Sequence, residues 1–259
     1  MKYKTKRLAD RFVETLSAWP GVECITVNEA AMQDTLDPYF ALILDVFYSG
    51  PIPGPQERHV CYGDDLLSFE SSPQGLKDRF LIGDIPLRLE YKSTATVEEL
   101  VDIAMGRAES LWLIKDSGTY GFYRLVNGEV LFSRTTWLTY IRMRLANLGE
   151  PFWEGLQSAN LSKMEHFLND LGAAYLQNDE FHYLIASAGF IKEACLTLFC
   201  INRRFEPSHR SYYKQVLELP CLPESFPAEL ENFLSQSPEM TMERRYSLAQ
   251  VIARSIVNL

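Results

Sequence analysis

Leu8, Phe12, Leu16 and Trp19 recur at helical spacing and predict a helix over 4–18 that Pro20–Gly21 stops. VECITV, residues 22–27, then reads as a strand. YFALILDVFYSG, residues 39–50, is apolar at nearly every position, which suits a central strand covered on both faces. Asp45 therefore sits deep in an apolar pattern. GPIPGPQERH, residues 50–59, reads as a Pro/Gly loop. Residues 78–93 predict two short strands broken at Gly83–Asp84, the second setting Leu87, Leu89 and Tyr91 against Arg88, Glu90 and Lys92. STATVEELVDIAMGRAESLWLI, residues 93–114, predicts a helix with Thr96 as N-cap and Glu99 completing a capping box. Asn127–Gly128, between the apolar runs of YGFYRLVNGEVLFS, predicts a β-hairpin.

From about residue 134 the period changes. Helices are predicted over 135–147, 161–176, 178–202, 210–218, 227–235 and 240–257, with breaks at Gly149–Glu150–Pro151, Gln177–Asn178–Asp179, Pro207, Pro220 to Pro227, and Pro238. No internal repeat or low-complexity segment is present. The expected fold is α+β: a mixed sheet with helices over 1–133, then an all-helical bundle over 134–259.

The 259 residues are 47 % apolar and 12 % aromatic, enough to build a sizeable core. A net charge of −9 argues against a general duplex-DNA binder, which carries a basic face. The five cysteines, Cys24, Cys61, Cys195, Cys200 and Cys221, show no C-x-x-C spacing, so neither a disulfide framework nor a zinc site is expected. Cys195 and Cys200 fall in a helical pattern and read as small core residues. The N-terminal MKYKTKRLADRF is basic without an apolar signal core, and no apolar run reaches about 18 residues, so no membrane helix is expected. A reducing cytoplasm is the simplest compartment.

Against this acidic background, Asn202, Arg203, Arg204, His209, Arg210 and Lys214 form a local basic knot after an apolar helix. Lys192 lies on that helix in register with Phe181, Ile185, Ala188, Cys195 and Phe199, an apolar stripe. Arginine matches phosphate oxygens bidentately, which points to an anion site. Cations at a helix C-terminus also complement its dipole, and pairing with Glu206 and Glu218 is a second structural role.

Taken together, the helix–strand–strand opening, a later strand bearing Glu90, the helical C-terminal half, LFCINRRFEP (198–207) and LPCLPESFP (219–227) resemble a known family. It is the minimal nucleotidyltransferases of the polymerase-β superfamily that carry a kanamycin-nucleotidyltransferase-like helical domain. The resemblance implies transfer of a nucleoside monophosphate from an NTP to a hydroxyl acceptor, with Mg²⁺ held by strand carboxylates. Such sites place two Mg²⁺ about 4 Å apart on hard oxygen ligands. Asp45 matches the family's second acid and Glu90 the third, and both are the implied catalytic and metal residues. Ile43 stands where the first acid is expected, and Asn28, Glu29 and Ala30 stand where the family has a Gly-Ser turn. Asp37 is the strand acid in a shifted register, which leaves Tyr39 in the second place. Lys192, Asn202, Arg203, Arg204, Arg210 and Lys214 are the implied nucleotide- and phosphate-binding residues. The competing class is a non-catalytic nucleotide-binding or interaction module of the same fold. A third reading rests on Arg204-x₄-His209, whose spacing resembles the Arg/His pair of HEPN-type ribonucleases, with His as acid/base and Arg stabilising charge. His59, His166 and His182 have no metal spacing.

Overall fold

The computed structural model describes residues 3–28, 42–106, 114 and 118–259. The chain is α+β and divides into two compact units, Met1–Arg107 with Gly121–Asn147, and Ala108–Tyr120 with Leu148–Leu259.

The sheet-bearing stretch runs α1 (Tyr3–Ser17), β1 (Val22–Val27), β2 (Leu42–Tyr48), α2 (Pro55–Tyr62), β3 (Leu66–Ser71), β4 (Lys77–Ile82), β5 (Ile85–Ser93), α3 (Thr94–Gly106), α4 (Tyr120–Asn127), β6 (Glu129–Ser133) and α5 (Trp137–Ala146). Among the described residues the strands form one sheet in the order β3-β4-β5-β2-β1-β6. All neighbours are antiparallel except β2 and β5, which run parallel. The side-chain period of two divides the central strands cleanly. Leu42, Leu44, Val46, Leu87, Leu89 and Tyr91 join Phe12 and Leu16 of α1 in one core cluster. The opposite face carries Asp45, Phe47, Arg88, Glu90 and Lys92; there α3 packs on β5 and α5 on β1, with the Phe47 and Trp137 rings 5.2 Å apart.

Several expectations are corrected. The Asn127–Gly128 dipeptide is no hairpin turn: residues 120–127 are helical, and Gly128 ends α4 by donating its N–H to the Arg124 carbonyl at 2.9 Å. Phe122 and Leu125, three apart, bury one side of this helix, a spacing that also fits a short amphipathic turn. A Cβ on Gly128 would lie 2.8 Å from that carbonyl oxygen and 3.1 Å from Thr26 Cβ, so close approach, not a turn, requires the glycine. Within the Pro/Gly stretch, Pro55 opens α2, where its missing N–H costs nothing, and Glu57 accepts from the Gly54 N–H at 3.0 Å. The helix expected to be capped by Thr96 starts at Thr94, and the end of that expected helix lies outside the described residues.

The helical unit contains α6 (Glu150–Gln177), α7 (Glu180–Ile201), α8 (Tyr212–Leu217), α9 (Phe226–Leu234) and α10 (Met242–Val257). α6 begins eleven residues before the expected 161, because Pro151 sits in its first turn instead of breaking it. Asn178, in the left-handed region at φ 54°, ends α6, and the Asp179 side chain accepts from the His182 N–H to start α7. α7 is long and apolar enough to cross a membrane by length and composition alone, a test that a buried core helix also passes. It packs through Tyr183, Ala186, Phe190, Ala194 and Leu198 into the core of this unit. Burial pushes the Cys195 and Cys200 thiols up to about 12, as expected for core residues.

α6 and α7 approach closely at Gly189, where a Cβ would lie 2.4 Å from the Phe167 ring. Gly189→Ala is therefore expected to destabilise the protein by about 1–3 kcal/mol through overpacking, despite alanine's better helix propensity. Chemical denaturation measures it; an unchanged or raised midpoint would mean the ring moves aside freely.

Candidate functional site

Two clusters of polar side chains stand out, one in each unit. The first lies on the helix-covered face of the sheet. Parallel pairing of β2 and β5 sets Asp45 directly opposite Glu90, so both carboxylates leave the same face. Asp45 is fully buried and Glu90 8 % exposed. Between them stands Arg124 of α4, itself 6 % exposed, donating Nη1 to Glu90 Oε2 at 2.7 Å and Nη2 to Asp45 Oδ1. Lys92 Nζ also lies 2.9 Å from Asp45 Oδ1, and the Asn28 amide donates to Oδ2 at 2.7 Å. Arg88 Nε is 2.9 Å and Lys77 Nζ 3.7 Å from Glu90 Oε1. Burial pushes the Glu90 carboxyl up, but Arg124, Lys92, Arg88 and Lys77 together outweigh it and hold it below the usual range. Two carboxylates against these four cations leave a local excess of positive charge.

This arrangement does not fit a Mg²⁺ site. A hard divalent cation needs carboxylate oxygens with free lone pairs, whereas each of these four oxygens already faces a nitrogen donor. Among the described residues no group of three or more His, Cys, Asp or Glu is placed to hold a metal. Asp37 and Tyr39, the shifted-register alternative, lie outside the described residues. Arg124 occupies the position between the acids, and the sequence signal that would have found it was the buried spacing of α4, masked by the hairpin-like Asn-Gly.

The second cluster lines a cavity of about 410 Å³ in the helical unit. Lys192 and Arg204 from the expected phosphate set are there, joined by Lys163, Glu193, Glu206 and His209. The stripe carrying Lys192 is core only at its C-terminal end: Cys195 and Phe199 are buried, whereas Phe181, Ile185, Ala188 and Lys192 are exposed, and the first turns of α7 bury the face of Tyr183, Ala186, Phe190 and Ala194. The rest of the basic knot does not line the cavity. Asn202 clamps the next loop, its amide donating to the Leu198 and Cys221 carbonyls and its carbonyl accepting from the Cys221 N–H, each at 2.8 Å. Arg203, left-handed at φ 51°, pairs with Glu150, and Lys214 lies 3.8 Å from Glu218; both side chains are exposed. Arg210 is exposed as well. Arg204 and His209 thus share one cavity, but the imidazole faces Glu206 Oε1 at 3.4 Å.

Residues 117–214, which include Arg124 and most of the cavity lining, match a family model described as a domain of unknown function, DUF4037. The sequence has no match among curated proteins. The structure is similar to the crystal structure of a nucleotidyltransferase-like protein from Exiguobacterium sibiricum 255-15, at 12 % identity and a TM-score of 0.50, over 98 % of this chain and 74 % of that one. The fold of this chain is nucleotidyltransferase-like.

Proposed function

We propose that this chain is a metal-independent nucleotide-phosphate-binding module of nucleotidyltransferase-like fold, not a transferase that moves a nucleoside monophosphate with Mg²⁺. The observation that carries this reading is the Arg124 guanidinium bridging Asp45 and Glu90. Two-metal transfer needs carboxylates that hold cations supplied with the nucleotide; here a fixed side chain neutralises them from within. The partly exposed Lys77, Arg88 and Lys92 then supply the positive field for an anionic ligand.

Calorimetric titration with each NTP, with and without Mg²⁺, tests this reading. The expected result is binding whose affinity changes less than about threefold on removing Mg²⁺, with no pyrophosphate released. A Lys77→Ala/Arg88→Ala double variant is expected to lose at least about tenfold in affinity, since charge-assisted bonds contribute about 1.5–3 kcal/mol each. Mg²⁺-dependent pyrophosphate release by the unmodified protein would overturn it.

A further inference from the structure

The cavity of the helical unit is polarised from floor to mouth. Its buried wall holds two carboxylates, Glu193 at 6 % and Glu206 at 7 % exposure. Its outer lining holds cations: Lys192 and Arg204 are exposed, and Lys163 is half-buried. Like charges buried together are costly unless something donates to them.

Glu206 is provided for. Its carboxylate Oε1 faces His209 Nε2 at 3.4 Å, while its backbone N–H separately anchors the segment by donating to Thr119 Oγ1 at 2.8 Å. Its Oε2 fits against Gly118, where φ is +75° and an added Cβ would come within 2.7 Å of that oxygen. The turn at 118–119 is thus shaped to seat this carboxylate. Glu193 is not so provided for: its Oε2 is buried with no hydrogen-bond partner. Burial pushes the Glu193 carboxyl up, Lys163 and Lys192 oppose this, and Glu206 adds to it. A carboxylate oxygen without a donor, facing a second carboxylate inside a cavity, lacks a positively charged hydrogen-bond donor.

We propose that this cavity binds a small molecule with a protonated amine at one end and an anionic group at the other. The ammonium donates to Glu193 Oε2 at the floor, and the anion sits between Lys192 and Arg204 at the mouth. The volume, about 410 Å³, lies within the usual small-ligand range of about 300–1,000 Å³. Charge complementarity at both ends sets the orientation, because the reversed ligand would place an anion against two carboxylates. This site lies wholly within the helical unit and does not depend on the sheet-face reading above.

The test uses the full chain and aminoalkyl phosphates of two to six carbons, from 2-aminoethyl to 6-aminohexyl phosphate. Alkyl phosphates of matched length lack only the amine, and alkylamines lack only the phosphate. Calorimetry is expected to show at least one aminoalkyl phosphate binding at least tenfold more tightly than either matched control. Glu193→Gln keeps the shape and removes the charge. It is expected to erase the preference for the amine, leave the alkyl phosphate affinity unchanged, and raise the melting temperature of the free protein. Lys192→Ala is expected to weaken aminoalkyl and alkyl phosphates alike. The proposal is overturned if no member of the series binds, if the amine brings no gain, or if Glu193→Gln keeps the preference. A lower melting temperature for Glu193→Gln would also overturn it, because the carboxylate would then serve the fold and not a ligand.

Discussion

Arg124→Ala will lower the stability of the protein by about 3–5 kcal/mol, the usual cost of removing one partner from a buried ion pair. Asp45 is fully buried and is the register partner of Glu90, and the guanidinium is what bridges them; Lys92, Arg88 and Lys77 remain beside the carboxylates and keep the cost within this range. For a chain of this size the melting temperature should fall by about 6–20 °C. The pH dependence identifies the cause. The folded Glu90 carboxyl is held below its ordinary range, so its contribution is complete above the unfolded value of about 4.3 and is lost as pH falls through the folded value. Arg124 is the largest of the cations responsible, so the gap between wild type and variant should narrow below about pH 4. Calorimetric melting at pH 7 and pH 3.5 measures both; a gap that does not change with pH would show that packing, not charge, is what Arg124 supplies. Removing the arginine should also open the acids to metal. Ile43 lies two residues before Asp45 on the same face, so Ile43→Asp in the Arg124→Ala background is expected to gain stability from millimolar Mg²⁺, while wild type gains none.

Asp78→Ala is expected to cost as much, from a different cluster. Asp78 is fully buried on β4 and Arg58 of α2 is 2 % exposed. The guanidinium donates Nε to Asp78 Oδ2 at 2.8 Å and Nη2 to Oδ1 at 2.9 Å, a bidentate pair. It also donates to the Pro53 and Gly75 carbonyls at 2.9 and 2.8 Å and lies 4.4 Å from the Tyr91 ring centroid. The Tyr62 and Tyr91 hydroxyls donate to Asp78 Oδ2 at 2.8 and 3.1 Å, and burial pushes both phenols well above their usual range, so they remain donors. Loss of Asp78 leaves a buried cation without its counter-ion and removes the shared acceptor of two hydroxyls that then have only each other, about 3–5 kcal/mol. Replacing both charges, Arg58→Met with Asp78→Leu, should cost far less than the sum of the single changes. A double-mutant cycle in urea is expected to return a coupling of at least about 2 kcal/mol; additivity would mean that the two charges act separately.

The central strands were legible because their patterns are local, whereas β3, over 66–71, was not anticipated. Continuous apolarity at 42–48 and alternation at 85–93 correspond to β2 and β5. The juxtaposition of Asp45 and Glu90 followed from those two strands pairing. What neutralises the acids was not legible. Arg124 comes 34 residues after Glu90 in sequence, on a two-turn helix whose Asn-Gly end reads as a turn between strands. Arg58 was hidden the same way, inside a Pro/Gly stretch that opens a helix. The N-terminal part of the stripe bearing Lys192 was misplaced for another reason. α7 is apolar on most sides, so periodicity alone could not say which side faces the core.

The position of β6 has a consequence for how the chain is made. Cys24 on β1 pairs with Ser133 on β6, so the outer edge of β1 waits for a segment 109 residues downstream. At about 5–20 residues per second, that edge stays open on the ribosome for roughly 5–20 s. Arg124 emerges only a few residues ahead of β6. While the nascent chain grows from Glu90 to Arg124, β2 and β5 can pair only by bringing two carboxylates together without their guanidinium. The parallel centre of the sheet and its antiparallel edge are thus each completed only late in synthesis, and until β6 arrives the growing chain presents an unpaired strand edge to chaperones and to its neighbours.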